Sequence, residues 1–253
     1  MLNLQKRRKK KSIAFILVFI ALVAVFSFFK DDIQSFVESL APKESYALPE
    51  ESETSPTYQI DDIPAYQGNS YVVLNDNEPN FTETDYTTNA FEQYSDLDSL
   101  GRCGVAFANV SLETMPTEER GSIGQVKPSG WHTVKYDNVS GKYLYNRCHL
   151  IGYQLTGENA NEKNLITCTR SMNTEGMLPF EDEVAEYVKE TGNHVLYRVT
   201  PIFEGDNLLA TGVEMEAKSV EDNGEGVKFY VFVYNVQAGI TIDYKTGDSS
   251  LAQ

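Results

Sequence analysis

Apolar residues occur in one long N-terminal run and then in a series of shorter segments. The run extends from Ile13 to Phe29 and contains no charged residue. The shorter segments are bounded by Gly, Asn, Asp or Pro, a pattern that is typical of strands. They are Tyr71–Leu74, Cys103–Val110, His194–Ile202, Ala210–Ala217, Lys228–Tyr234 and Leu144–Ile151, the last being a strand that continues into a loop.

One amphipathic helix is predicted among these strands. In Glu181–Glu190, the residues Val184, Tyr187 and Val188 recur at i, i+3 and i+4, and Gly192 follows as a stop signal. Polar turns at 204–207 and 222–224 separate the last three strands, which predicts an antiparallel meander. The pattern as a whole predicts a single α+β domain with an antiparallel sheet core over residues 60–253.

The N-terminal run predicts that this domain is exported. Residues 1–12 carry six consecutive basic side chains, and the 17 residues 13–29 would extend about 25 Å as a helix, near the lower limit for a bilayer span. The basic flank should stay in the cytoplasm, so 13–29 is predicted to be a signal anchor of a single-pass protein with an extracellular C-terminal domain. A cleaved signal peptide, which would give a secreted protein, and a buried core helix are the alternatives.

The charge of the chain is strongly acidic and unevenly distributed. The net charge is -16, and residues 31–100 hold sixteen acidic side chains against one basic. Segment 30–59 is rich in Pro, Ser and Glu and is predicted to be a flexible acidic stalk. Bulk charge therefore argues against coating of nucleic acid. Affinity for a polyanion needs only local cations, however. Arg120, Arg147, Lys163 and Arg170 are candidates for such a cluster.

The three cysteines, Cys103, Cys148 and Cys168, do not form a standard zinc pattern. An odd number in an exported protein leaves at least one thiol unpaired unless chains are cross-linked. A bridge between Cys148 and Cys168 is one pairing among those that the sequence allows, and small buried thiols are an equally good interpretation.

A dense set of polar residues follows one histidine. His149 lies in the string YLYNRCHLIGYQLTG, and Asn173 and Glu181 come 24 and 32 residues later. A His that takes a proton from water, an Arg on the phosphate oxygens and an amide that binds a hard cation fit phosphodiester hydrolysis. Structural interpretations exist for each residue. Asn173 could cap the helix, Glu181 could be stabilised in the first turn by the helix dipole, and Arg147 or Arg170 could form ion pairs.

The string NRCHLIGYQLTGENANEKNLITCTRSMN resembles the active-site segment of the DNA/RNA non-specific endonucleases, which have a ββα-metal (His-Me) finger. It is most similar to exported nucleases of the streptococcal type, and the likeness extends over about residues 63–245. Two positions depart from the commoner motif of the family. Asn146 stands where Asp is usual, and Cys148 stands where Gly or Ser is usual; neither position does the chemistry.

The resemblance implies a role for each matching residue. His149 matches the general base, Asn173 the sole direct protein ligand of Mg²⁺, and Glu181 the helix Glu that holds a metal-bound water. Arg147 and Arg120 match arginines at the site or on the phosphate, and Arg170 and Asn164 are expected to bind substrate or support the site. The implied cofactor is Mg²⁺, with Mn²⁺ as a substitute, and the implied substrates are DNA and RNA; no protein partner is predicted.

Several alternatives remain open at this point. The chain could be a non-catalytic extracellular binding module on a membrane anchor, in which case loss of His149 would change nothing. It could also be a hydrolase that uses Cys148 and His149, although adjacent strand residues point to opposite faces and make a poor dyad. Trp131 could stack on a base or pack in the core, and His132 and His194 are interpreted as structural.

Overall fold

The computed structural model describes residues 62–252, and all statements below concern that part of the chain. The predicted basic segment, signal anchor and stalk lie outside it. Ten strands are present: β1 Tyr71–Val73, β2 Phe91–Tyr94, β3 Ala106–Val110, β4 Tyr145–His149, β5 Leu165–Thr169, β6 Val195–Ile202, β7 Gly212–Ser219, β8 Lys228–Tyr234, β9 Ile240–Ile242 and β10 Ser249–Leu251. The helical elements are α1 Tyr153–Thr156, α2 Leu178–Thr191, a π-helix Met172–Met177, and 3-10 turns at Asn75–Asn77 and Glu162–Asn164.

Six strands form one antiparallel sheet in the order β1-β8-β7-β6-β3-β2. The predicted meander is its centre, because β6, β7 and β8 pair in sequence order. Alternate residues of each strand face opposite sides. On β8, Phe229, Val231 and Val233 face the main core, whereas Tyr230 and Phe232 face a second, smaller core that includes Ile63 and Leu74. The predicted α+β class with an antiparallel sheet is confirmed.

A separate hairpin and the long helix cover the main face of the sheet. Strands β4 and β5 pair only with each other among the described strands, and α2 follows β5 after the π-helix, so the three make a ββα unit. Cys148 on β4 and Cys168 on β5 form a disulfide with both side chains fully buried. The free thiol is Cys103, which is also buried.

The helix packs closely on the sheet because of Gly176. A Cβ at this position would lie 2.3 Å from Cγ1 of Val233, so only Gly permits the observed distance between helix and β8. On the other side of the π-helix, Pro179 has no N–H for the Glu175 carbonyl, and Ser70 Oγ donates to that oxygen at 3.2 Å. The helix that was predicted over residues 181–190 begins earlier, at Leu178. It continues the π-helix that starts at Met172.

The buried side-chain amide of Asn235, just after β8, ties the hairpin to the sheet. Its Oδ1 accepts from the backbone N of Thr169 at 2.8 Å, and its Nδ2 donates to the carbonyl oxygens of Thr167 and Ala210 at 3.2 and 2.9 Å. Thr169 Oγ1 adds a hydrogen bond to the carbonyl of Val236. These bonds set the position of β5, and through β5 they set the position of β4.

Most predicted strands are observed within a few residues of their predicted bounds. The segment predicted from Cys103 becomes a strand only at Ala106, and the one predicted over Ala210–Ala217 is shifted to Gly212–Ser219. Strands β2, β5, β9 and β10 were not predicted from the pattern. Within residues 62–252, no helix is both long enough and apolar enough to cross a membrane.

Candidate active site

A cleft of about 560 Å³ opens beside the ββα unit. Its lining includes side chains from β4, from the residues after β5 and from the loop before the hairpin: Arg120, Asn146, Arg147, Arg170 and Asn173. It also includes Ile123, Trp131, Thr133, Ser140, Gly141, Tyr143 and Tyr145. Four of the predicted site residues (Arg120, Arg147, Arg170 and Asn173) therefore line a single cavity.

His149, the last residue of β4, is nearly buried, with 7% of its surface exposed. Its Nε2 lies 2.8 Å from the carbonyl oxygen of Asn159, which can only accept a hydrogen bond, so Nε2 carries the proton in the neutral ring. Nδ1 is then the basic nitrogen. Removal from water lowers the pKa of His149 to about 4; the hydrogen bond to Asn159 opposes this shift, and the charge of Arg120 adds to it. The ring is therefore a neutral base at physiological pH.

Arg120 lies directly in front of that basic nitrogen. Its Nη2 is 3.3 Å from Nδ1 of His149, although no element of secondary structure holds the loop that carries it. The guanidinium is exposed, and its charge also acts on the carboxylate of Glu181. A cation in this place can contact a phosphate oxygen next to the base.

Asn146 orients two residues of the helix that follows β5. Its Oδ1 accepts from Nδ2 of Asn173 and from Nη1 of Arg170, each at 3.4 Å. Because Nδ2 of Asn173 is engaged, its Oδ1 is the free atom, and it has no hydrogen-bond partner within residues 62–252. The residue that departs from the commoner motif thus positions Asn173, a contact that the sequence did not suggest.

Glu181 and Asn173 lie on the same face of the helix because of the π-helix between them. Two ordinary α-helical turns take about 7.2 residues, and an i→i+5 turn inserts about one more. The separation of eight residues between Asn173 and Glu181 thus corresponds to two turns. A π-helix interior of this kind is common at functional sites.

The carboxyl group of Glu181 packs against Gly152, where a Cβ would come within 2.6 Å of its Oε2. The residue keeps some accessible surface, but the carboxyl group itself is surrounded by protein. Burial raises its pKa to about 8, the charge of Asp182 acts in the same direction, and Arg120 opposes it. No hydrogen bond to this carboxyl group is formed within the described part of the chain.

The contacts of Arg147 agree with the first of the two roles that the resemblance implied, support of the site rather than of the phosphate. Its Nε donates to the carbonyl of Val126 and its Nη2 to that of Gly124 at 3.0 Å, and the guanidinium lies 3.8 Å from the ring centroid of Trp131. These bonds hold the loop 120–131 against β4. Arg147 therefore shapes the wall of the cleft, and only the N–H groups that are not bonded to the loop are available to a substrate.

Asn164 was expected to bind substrate or to support the site, and its contacts are those of a support and not of a substrate-binding residue. Its side chain is fully buried, its Oδ1 accepts from the backbone N of Ile151 at 2.9 Å, and its Nδ2 donates to the carbonyl of Ile151 at 3.0 Å. All of its polar atoms are used to hold the loop after His149. Asn164 is a support for the base and cannot contact a ligand in the cleft.

Three other expectations can be compared with the structure. Lys163 does not join the cluster of cations, because its Nζ pairs with Asp96 at 2.6 Å. Cys148 is bonded to Cys168 and has no thiol, which excludes the hydrolase based on Cys148 and His149. His194 forms a hydrogen bond with the side chain of Glu221, and His132 forms one with the backbone carbonyl of Thr246, in agreement with structural roles.

The site fits a hard divalent cation that keeps most of its water. In residues 62–252, no three His, Cys, Asp or Glu side chains come together as a protein cage for a metal ion. The free Oδ1 of Asn173 and the unbonded carboxyl group of Glu181 are instead two oxygen donors on one helix face. Mg²⁺ is commonly bound in this way, by one or two protein oxygens with water in the other positions.

Comparisons with known proteins agree with this arrangement. The sequence profile of the family described as DNA/RNA non-specific endonuclease matches residues 82–221, which is more than half of the 253 residues. Among solved structures, NucA from Streptococcus agalactiae with magnesium ion bound is 28% identical, with a TM-score of 0.67. The match covers 77% of this chain and 92% of NucA.

Two further structures share the fold. NucA from Streptococcus agalactiae with no metal bound gives a TM-score of 0.66 at the same identity and coverage. The Sda1 nuclease with bound zinc ion is 24% identical with a TM-score of 0.59, over 73% of this chain and 97% of that one, which shows a likeness of fold alone.

The environment of His149 predicts an unusually acidic imidazole. Titration by NMR should give a midpoint near pH 4, well below the ordinary value of about 6.5. Arg120→Ala should move this midpoint upward, because removal of a neighbouring positive charge favours the imidazolium. With three His in the chain, loss of one signal in His149→Ala assigns the resonance. A midpoint at or above 6.5 would contradict the buried, neutral base.

Proposed function

This chain belongs to the DNA/RNA non-specific endonuclease family and is a metal-dependent endonuclease, and from this premise we propose that it hydrolyses DNA and RNA without sequence preference in the presence of Mg²⁺. The observation that carries the proposal is the lone pair on Nδ1 of His149. It lies beside a cleft that also contains Arg120 and the free amide oxygen of Asn173.

His149 is proposed to act as the general base. Its Nε2–H is held by the carbonyl of Asn159, so the ring is fixed with Nδ1 toward Arg120 and the substrate. Water gives a proton to Nδ1 while its oxygen forms a bond to phosphorus. The bond from phosphorus to the 3′ oxygen breaks, and that oxygen takes a proton from solvent. Because Nδ1 is neutral near pH 7, the base does not first have to lose a proton.

Arg120 and Arg170 are proposed to bind the phosphate. Arg120 must leave Nδ1 for water to reach it, and a phosphate oxygen is a stronger acceptor for a guanidinium than a neutral imidazole is. Arg170 lies across the cleft, held by Asn146. Arg147 supports the wall between them. Cations confined to one cleft reconcile an acidic chain with a polyanionic substrate.

Asn173 and Glu181 are proposed to hold the metal ion, Asn173 through Oδ1 and Glu181 through a water molecule. Asn146 keeps the Oδ1 of Asn173 directed away from itself, since it accepts from Nδ2. When bound, Mg²⁺ would supply positive charge that stabilises the phosphate oxygens in the transition state. NucA from Streptococcus agalactiae was solved with magnesium ion bound, which supports a divalent cation such as Mg²⁺ at this site.

A non-catalytic binding module was the main alternative from the sequence, and the match to an endonuclease family makes it the weaker hypothesis. The two also differ in their expectation for His149. A binding surface has no use for a buried neutral imidazole with one nitrogen fixed and the other directed at an arginine.

The proposed location is outside the cell, with residues 13–29 as a membrane anchor. The support comes from the sequence: an uncharged apolar run after six basic residues, followed by an acidic segment. Protease added to intact cells should release a nuclease fragment into the medium. Release only after membrane rupture would overturn this topology, and nuclease in the medium without protease would indicate signal-peptide cleavage.

Digestion of plasmid DNA and of an unstructured RNA tests the activity. Both should be degraded with Mg²⁺ and left intact with EDTA. His149→Ala should lower the rate by about 10²–10⁴-fold with an unchanged circular dichroism spectrum, and added imidazole should restore part of it. His132→Ala is the matched control and should retain the wild-type rate. A folded His149→Ala protein with full activity would remove His149 from the mechanism.

Titration of the rate with Mg²⁺ tests the metal site. Asn173→Ala should reduce activity more than Glu181→Ala does, because only the first removes a direct ligand. Asn173→Asp keeps an oxygen but adds charge, so it should bind the ion and still lose rate. Activity that persists in EDTA, or an Asn173→Ala protein as fast as wild type, would show that the site is wrong.

A further inference from the structure

The aromatic side chains that line the cleft have no role in the steps described above. They are Trp131, Tyr143 and Tyr145, and the small residues Ser140 and Gly141 belong to the same lining. Tyr145 is buried and donates to the carbonyl of Gly247, and Trp131 lies under the guanidinium of Arg147. Both rings are thus occupied by contacts within the protein, whereas Tyr143 remains largely exposed.

Tyr143 is exposed in a way that packing does not explain. Its exposed fraction is 47%, greater than that of Tyr66 and Tyr71, which are each 42% exposed and each pack edge-on against another ring. Within residues 62–252, Tyr143 packs on no other aromatic ring. An exposed ring at the wall of a polar cleft is suited to contact a flat, apolar ligand face.

The Tyr143 ring is also held in place. Tyr143 forms an isolated bridge with Lys135, and Nζ of Lys135 lies 4.4 Å from the ring centroid. The ammonium therefore covers one face, while the ring borders the same cleft as Arg170 and Asn173. Fixing the ring before a ligand binds reduces the entropy that binding would cost.

We propose that the part of the cleft lined by Tyr143 is a nucleobase subsite, in which Tyr143 stacks on the base of a nucleotide next to the phosphate that is cut. The inference rests on the proposed nuclease function and names the form of the substrate. The cleft, of about 560 Å³, is within the range of roughly 300–1,000 Å³ usual for small-ligand pockets. The cations that are proposed to bind phosphate and the exposed ring of Tyr143 line this same cavity.

Two consequences follow for specificity. Stacking on an aromatic ring accepts every base, so this subsite agrees with a lack of sequence preference. A base inside a duplex can reach the ring only after it leaves the stack, which costs a few kcal/mol. Single-stranded nucleic acid should therefore be cut faster than duplex of the same sequence.

The test uses three DNA substrates of equal length: a single strand, its duplex, and a single strand in which every base is replaced by an abasic tetrahydrofuran residue. For wild type, kcat/KM should be highest on the normal single strand and about tenfold lower on the abasic strand. Tyr143→Ala should lose about tenfold on the normal strand, mainly through a higher KM, and lose almost nothing on the abasic strand. Tyr143→Phe should behave as wild type.

Controls separate stacking from damage to the fold. Tyr66→Ala removes an equally exposed tyrosine outside the cleft and should leave all three rates unchanged. Tyr143→Leu keeps a large apolar side chain without the ring. If Tyr143→Ala is unstable, Tyr143→Leu should show the same pattern of losses in kcat/KM. Equal losses for Tyr143→Ala on normal and abasic strands, or no loss on either, would overturn the subsite.

A binding measurement keeps this inference separable from the proposed function. Fluorescence anisotropy with a labelled single strand can be recorded in the His149→Ala background, where cutting is expected to be about 10²–10⁴-fold slower. Tyr143→Ala should weaken Kd for the normal strand by about tenfold and leave the abasic strand unaffected. If wild type cuts no substrate, the proposed function fails, and the binding result alone then decides the subsite.

Discussion

The buried amide of Asn235 is the contact on which the geometry of the site depends. It bonds the backbone of β5 at Thr167 and Thr169, and it bonds Ala210 on the way into β7. A buried amide with these partners is strongly directional, since leaving any of them unpaired costs about 1–3 kcal/mol. It therefore fixes the register between the hairpin and the sheet. Because β4 pairs with β5 and the helix follows β5, His149 and Asn173 are placed by the same contact.

The chemistry of the site comes from burial of polar groups at the end of this hairpin. His149 faces an apolar interior except at its two nitrogens, and loss of water is the largest cause of its low pKa. Burial raises the pKa of Glu181, whereas it lowers that of His149, because it favours the neutral form of both groups. Burial thus yields both a neutral base and an acid with a raised pKa in one ββα unit.

The distribution of charge shows how an acidic protein can act on a polyanion. Cations near the motif in sequence do not all reach the cleft, since Lys163 is paired with Asp96 while Arg120, Arg147 and Arg170 line the cavity. Arg147 donates two of its five N–H groups to the carbonyl oxygens of Gly124 and Val126. The affinity for substrate then depends on few groups, which suits an enzyme that has to release its fragments.

The sequence by itself determined the strands of the meander, the amphipathic helix, and the residues His149, Asn173 and Glu181 as candidates for chemistry. These depend on local periodicity and on a short motif, which neighbours along the chain can specify. Only the tertiary structure decided the pairing of Cys148 with Cys168, the burial of Asn164 on Ile151, and the contact of Arg120 with the base. It also decided the π-helix that brings Asn173 into line with Glu181, and the exposure of Tyr143. Each of these features depends on contacts between segments that are distant along the chain or on small backbone shifts. Long-range contacts and small backbone shifts leave no periodic signal in the sequence.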